Sequence, residues 1–174
     1  MRSQIGFVPA DGGYYSNLTV DQNLKVAAAL RRRVGRRAVD EAAAILDLCS
    51  VRERRASTLS KGQKKRLAIA CALVGYPEVL LLDEPCADLD VNGLNLVQGM
   101  ISMLCARHGA TVVVASALPP SGLRRAGVMG VVNQGRLSEE RAIGRGFSQA
   151  ESAAMLEEAR ADASGGSTND SDQG

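Results

Sequence analysis

The chain has no tryptophan, a single histidine (His108) and only 3% aromatic residues among its 174. Each scarcity removes a class of function. So few rings leave no stacking platform of the kind single-strand nucleic-acid binders use. A net charge of +2 gives no electrostatic footprint for a polyanion. With one histidine and no C-x-x-C pair, Cys49, Cys71, Cys86 and Cys105 do not compose a zinc site. They read instead as small core residues in a reducing compartment. No apolar run reaches the ~18 residues of a transmembrane helix. Met1-Arg2-Ser3-Gln4 leads straight into Ile5-Gly6-Phe7-Val8, with no apolar segment of a secretory leader before it. Also absent is any G-x-x-x-x-G-K-S/T run, the loop whose backbone amides and lysine cradle a triphosphate.

What is present alternates strands and helices. Ile5–Val8 reads as a strand stopped by Pro9, and Asp11-Gly12-Gly13 as a turn. Thr19 and Gln22 have capping-box spacing, which predicts a helix from about Val20 to Arg33. Gly35 interrupts it, and a second helix is expected from Arg37 to Leu48. Ser60 and Gln63 repeat the capping-box spacing before a helix to about Val74, which Gly75-Tyr76-Pro77 ends. Lys64, Lys65 and Arg66 crowd the first turns of that helix against the positive end of its dipole. A nearby anion would relieve this, and a solvated basic face is the alternative.

Val79–Leu82 has no polar face and suits a parallel strand buried on both sides. A helix over Val91–Arg107 closed by Gly109, a second buried strand over Thr111–Ser116, and a hairpin around Asn133-Gln134-Gly135 follow. Strand–helix–strand order at these lengths implies a parallel sheet with a right-handed crossover. Glu151–Ala161 suits a short polar helix. From Asp162 the serine-, glycine- and aspartate-rich composition predicts disorder.

Two stretches carry chemistry. Val79-Leu80-Leu81-Leu82-Asp83-Glu84-Pro85 is an apolar strand ending in adjacent carboxylates. Phosphoryl transfer to water needs Mg²⁺ on the phosphate oxygens and a group that orients or deprotonates the water. Asp83 at the rigid strand end suits the metal, and Glu84 just beyond it suits the water. An exposed acidic turn is the plain alternative. In Leu59-Ser60-Lys61-Gly62-Gln63, a helix start supplies free N–H groups, Ser60 a hydroxyl, and Gly62 close backbone approach. An ordinary capping box would explain that pentapeptide alone.

Together these stretches resemble the LSGGQ-type signature and Walker B strand of the ATP-binding cassette (ABC) ATPases. Asn17-Leu18-Thr19-Val20 with Asn23-Leu24 is similar to a segment of the ABC-2-type exporter ATPases, and Cys86-Ala87-Asp88-Leu89-Asp90 to the family's D-loop. The resemblance covers about residues 4 to 140. It implies a partial P-loop NTPase α/β fold: a parallel sheet with a helical signature subdomain. Residues 1–144 would be a cassette lacking Walker A, with the helical subdomain at about 14–75 and the Walker B and D-loop half at about 76–140. Residues 145–174 would be a polar, largely disordered tail.

The resemblance further implies Glu84 as catalytic base and Asp83 as the Mg²⁺-facing residue. Ser60, Lys61, Gly62 and Gln63 would contact the γ-phosphate of ATP held by the opposite protomer, and Asp90 would couple the two sites. Lys61 stands where glycine is usual, a variant common in exporter subunits. Cys86 and Asp88 depart from the D-loop pattern. The Q-loop glutamine falls on Ala10 and the switch histidine on Ala117. The implied partners are a membrane permease subunit and a second ABC ATPase in a homo- or heterodimer. Membrane contact would be indirect, at the cytoplasmic face, and no nucleic acid is implied.

Micromolar binding takes about −8 kcal/mol. Two or three charge-assisted hydrogen bonds offer roughly 1.5–3 kcal/mol each, against an association cost of about 4–15 kcal/mol. The signature loop alone is therefore not expected to hold ATP, so the cradle must come from another chain. Three functions stay open: the ATP-binding subunit of an ABC-2-type exporter known by its C-terminal part, or its decayed gene; a non-catalytic module lending its signature loop to an intact ATPase; and a soluble ABC ATPase of DNA repair or translation, against which the lack of long heptads, a second cassette and a basic stripe argues. Without the family's first strands, the sheet should also show bare edges and an uncovered apolar face.

Overall fold

A computed structural model of the protein describes residues 5–31, 34–117, 127–133, 135–137, 141–142, 153–155 and 157–158. They fall into two compact units, Met1–Ala117 and Leu118–Gly174.

The first unit is built around a three-stranded parallel sheet in the order β1-β2-β3, with β1 at Ile5–Val8, β2 at Val79–Asp83 and β3 at Thr111–Ala115. Val8 aligns with Leu82, and Asp83 with Ala115. Between β1 and β2 run α1 (Val20–Ala29), α2 (Arg36–Ile45) and α3 (Lys61–Leu73), and α4 (Val91–His108) crosses from β2 to β3. Local chemistry starts and stops these helices. Thr19 Oγ1 accepts from the Gln22 amide while Gln22 Oε1 accepts from the Thr19 amide, and α4 ends on left-handed Gly109. Helices α1 and α2 end earlier than expected, at Ala29 and Ile45. Asn23 is buried: its side-chain amide donates to the carbonyls of Tyr15 and Thr19 and its oxygen accepts from the Tyr15 amide, which fixes the loop into α1.

One continuous core joins the helices to one face of the sheet. Leu24, Leu46, Leu67, Ile69 and Leu73 pack with Val8, Leu80 and Leu82. The opposite face is open: Ile5 is 47% exposed, Phe7 60% and Val113 51%. The expectation of strands buried on both sides is therefore corrected, since β2 alternates buried and half-buried residues and β3 exposed and half-buried ones. Among the described residues, helices cover only one side, which leaves the apolar face that the sequence led us to expect. The cysteines also need correcting. Cys49 and Cys105 are exposed; Cys71 and Cys86 are partly covered. Burial pushes the Cys71 thiol up to about 12, which disfavours the thiolate form.

In the second unit, β4 (Val128–Met129) pairs with β7 (Arg141–Ala142), and β5 (Val132–Asn133) with β6 (Arg136–Leu137), both antiparallel. The β5–β6 pair is the expected hairpin turn, whereas Val128–Met129, expected within the same first strand over Val128–Val132, pairs with β7 instead. Val131 and Met155 form its small buried cluster. Residues 153–155 and 157–158 are helical, inside the expected polar helix. Pro119-Pro120 and the tail from Asp162 lie outside the described residues.

Candidate functional site

The start of α3 is a complete capping box. Ser60 Oγ accepts from the Gln63 amide at 3.2 Å, and Gln63 Oε1 accepts from the Ser60 amide at 3.1 Å. The capping role and an anion-binding role are compatible here. The Ser60 hydroxyl keeps its own proton to donate. The first ladder bond of the helix runs from the Lys64 amide to the Ser60 carbonyl, so the amides of Lys61 and Gly62 precede the ladder and stay available. Gly62 sits close against its own chain: a Cβ there would lie 3.2 Å from the Asp88 carbonyl oxygen, a contact tighter than side chains usually make.

The basic run after this loop is not simply solvated: Lys65 is held by a backbone carbonyl and Arg66 by carbonyls and a carboxylate. Lys65 is buried and its ammonium donates to the Ala10 carbonyl. Arg66 donates to the carbonyls of Leu46 and Asp47 and pairs with the Asp47 carboxylate at 3.0 Å. Both cations are tied to the last turn of α2 or to the loop after β1.

Asp83 ends β2, half-buried. Glu84 turns away from the strand at φ 46°, a left-handed conformation unusual outside glycine. Three bonds hold it there. Its amide donates to the Ala115 carbonyl at 2.9 Å. Its carboxylate accepts from the Ser116 hydroxyl at 3.0 Å through Oε2 and from the Ala117 amide through Oε1. The end of β3 thus aims the carboxylate. Burial, followed by the charge of Glu84, raises the neighbouring Cys86 thiol above its ordinary range, with Lys65 opposing.

Residues 86–90 fold back onto the start of α3. Asp88, at φ 60°, stands 3.9 Å from the Lys61 ammonium. Both side chains are largely exposed, so this pair adds little stability. Asp90 is the N-cap of α4: its Oδ1 accepts from the Gly93 amide at 2.7 Å. The fold therefore brings Lys61 and Gly62 together with Asp88. It brings Glu84 together with Ser116 and Ala117. Among the described residues no hydrogen bond or ion pair joins Ser60–Gln63 to Asp83 or Glu84.

A family model described as ABC transporter matches residues 1–87. The chain belongs to the ABC transporter family. It is 36% identical over 138 residues to the bacitracin transport ATP-binding protein BcrA of Enterococcus faecalis, covering 79% of this chain and 45% of that one. It is 32% identical over 142 residues to the molybdenum import ATP-binding protein ModC of Rhodospirillum rubrum, covering 79% and 37%. The chain thus spans less than half the length of these curated relatives. A dimeric ATP-binding cassette solved in a post-hydrolysis state with ADP and Pi superimposes with a TM-score of 0.75 at 26% identity, covering 84% of this chain and 65% of that one. A second solved structure, an ATP-binding subunit of an ABC transporter, gives 0.76 over 90% and 69% at 20% identity, a likeness of fold alone. The α/β architecture is a partial P-loop NTPase fold of the ABC ATPase kind.

ABC ATPases bind ATP and Mg²⁺, and the groups present fit both. A helix start with unladdered amides and a free hydroxyl proton suits a phosphate. A strand-end carboxylate suits Mg²⁺, which takes one or two carboxylates and otherwise phosphate oxygens and water. No cluster of three or more ligating side chains occurs among the described residues. Sequence reasoning did not find the carriers of tertiary placement: Ser116 on Glu84, and Lys65 on Ala10. Neither has a local signal, because their partners lie 32 and 55 residues away.

Proposed function

We propose that the chain supplies the signature loop and the strand-end carboxylates of an ATP-binding subunit in an ABC-2-type exporter. The phosphate cradle that the sequence does not contain would come from outside residues 1–174. The observation that carries this is the seating of Gly62 against the Asp88 carbonyl, which sets the capped start of α3 and residues 86–90 side by side on one surface. In this proposal Ser60, Lys61, Gly62 and Gln63 face the γ-phosphate of a nucleotide held mainly by a second ABC ATPase. Asp83 faces Mg²⁺ and Glu84 orients the attacking water. Asp90, besides capping α4, couples the paired sites. A permease subunit would hold the assembly at the cytoplasmic face of a membrane, since among the described residues no helix is long and apolar enough to cross one. The similarity to BcrA, named for bacitracin transport, favours a transporter subunit. Calorimetry of the isolated chain with ATP and Mg²⁺ tests the division of labour. We expect no binding tighter than about millimolar, given the hydrogen-bond count against the association cost; a micromolar Kd would overturn it.

A second possibility is a non-catalytic module that lends its signature loop to an intact ATPase. Alanine at 10 and 117 favours it, because neither side chain can reach a metal or phosphate. Adding the chain to such an ATPase separates the two. A stimulated rate that Glu84→Gln leaves unchanged supports the module, and one that Glu84→Gln abolishes supports the catalytic subunit.

A further inference from the structure

The turn from α3 to β2 and the helix end before it are held by α2, by α4 and by the segment just past α1, through groups that the nucleotide chemistry does not use. Tyr76 lies at its centre in a left-handed conformation, φ 51°, directly after Gly75 at φ 83°. A bulky residue does not hold that backbone shape without outside support. The support is visible. The Tyr76 ring stacks on the ring of His108, the last residue of α4, with centroids 4.1 Å apart and planes 8° from parallel. The Tyr76 hydroxyl donates to Glu41 Oε2 on α2 at 2.9 Å, and Glu41 Oε1 accepts from Arg37 Nε at 2.8 Å. Just past α1, Arg31 donates to the carbonyls of Ala72 and Val74, the last turn of α3.

The three contacts differ in kind. Arg31 holds backbone and would stabilise any sequence at these positions. Besides its amide, which donates to the Leu73 carbonyl at 2.9 Å, Tyr76 reaches α2 and α4 by its side chain, with its hydroxyl toward α2 and its ring face toward α4. Its left-handed backbone leaves little slack, so a displacement at one end of the side chain is felt at the other. His108 and Glu41 make no direct hydrogen bond with each other. Tyr76 contacts both, and His108 also bears on Glu41 electrostatically.

We propose that Tyr76 is a clasp that couples α2 to the C-terminal end of α4, so that the helical layer and the crossover helix of the sheet loosen together. The clasp stands whether or not the chain meets a nucleotide. Because α3 begins at the signature loop and ends at this turn, the clasp fixes the far end of the helix that carries Ser60–Gln63.

Amide hydrogen exchange of the full chain tests the proposal, with Tyr76→Phe and His108→Ala as variants. Tyr76→Phe keeps the stack and removes only the bond to Glu41. It should speed exchange across Arg36–Ile45 by about 2- to 10-fold, the range that the net worth of one hydrogen bond implies, and by a smaller factor in the last turn of α4. His108→Ala, at an exposed position, removes the ring face. It should speed exchange in the last turn of α4 and also across Arg36–Ile45, the latter only while the Tyr76 hydroxyl is present, since His108 also bears on Glu41 electrostatically. The second effect is the signature of coupling. Acceleration confined to α4 in His108→Ala, or no change across α2 in Tyr76→Phe, would overturn the clasp.

Discussion

Ser60 has two lone pairs and one proton, and the fold uses only part of that capacity. One lone pair caps the Gln63 amide, while the proton remains for a ligand. Ser60→Ala should therefore lower stability by about 1 kcal/mol, read as a shift in urea midpoint. Ser60→Asp should restore the cap but place a carboxylate where a phosphate would approach. Restored stability together with lost stimulation of an ATPase partner would separate the cap from the phosphate contact. Asp21 offers a pH-dependent case. Its carboxyl is held below the ordinary range by a hydrogen bond from Lys25 and by Arg52, against an opposing effect of burial. A depressed folded-state value means that this stabilisation is present above the ordinary carboxylate pKa and is lost as pH falls through the folded one. Asp21→Asn should thus cost more stability at pH 7 than at pH 3, a difference that urea titrations at the two values would measure.

At the scale of elements, helix starts were legible wherever the cap is local. Thr19–Gln22 and Ser60–Gln63 satisfy each other within four residues, so spacing alone identifies them. Helix ends were less legible. Sequence periodicity runs on past Ala29 and Ile45, while backbone termination depends on what packs over it. Asp90 shows one residue serving an element and a proposed site together. If its first duty is the cap of α4, Asp90→Ala should lower stability by about 1 kcal/mol, and Asp90→Asn should retain most of it. Chemical denaturation of both variants checks this. Equal loss in both would mean that the carboxylate charge, and not the cap, matters in the folded chain.

The largest feature at the scale of the molecule is the uncovered face of the sheet. Phe7, Leu81 and Val113 align across β1, β2 and β3 by register, and the outer two are more than half exposed. A contiguous apolar surface on a parallel sheet favours association. Phe7→Lys together with Val113→Lys should reduce concentration-dependent self-association of the chain, measured by sedimentation velocity, with the far-ultraviolet circular dichroism unchanged. Unaltered association would show that this face is not the sticky one.

The sequence by itself determined the strand–helix alternation, both capping boxes, the stop at Gly109 and membership of the ABC transporter family. All of these depend on contacts within a few residues or on fixed motif spacing. Tertiary structure alone decided which oxygen holds which donor across the fold. Ser116 and Ala117 aim Glu84, Lys65 is buried on the Ala10 carbonyl, and Tyr76 bridges Glu41 and His108. Such pairings join positions tens of residues apart, and chain geometry brings them together only once the helices have packed against one side of the sheet.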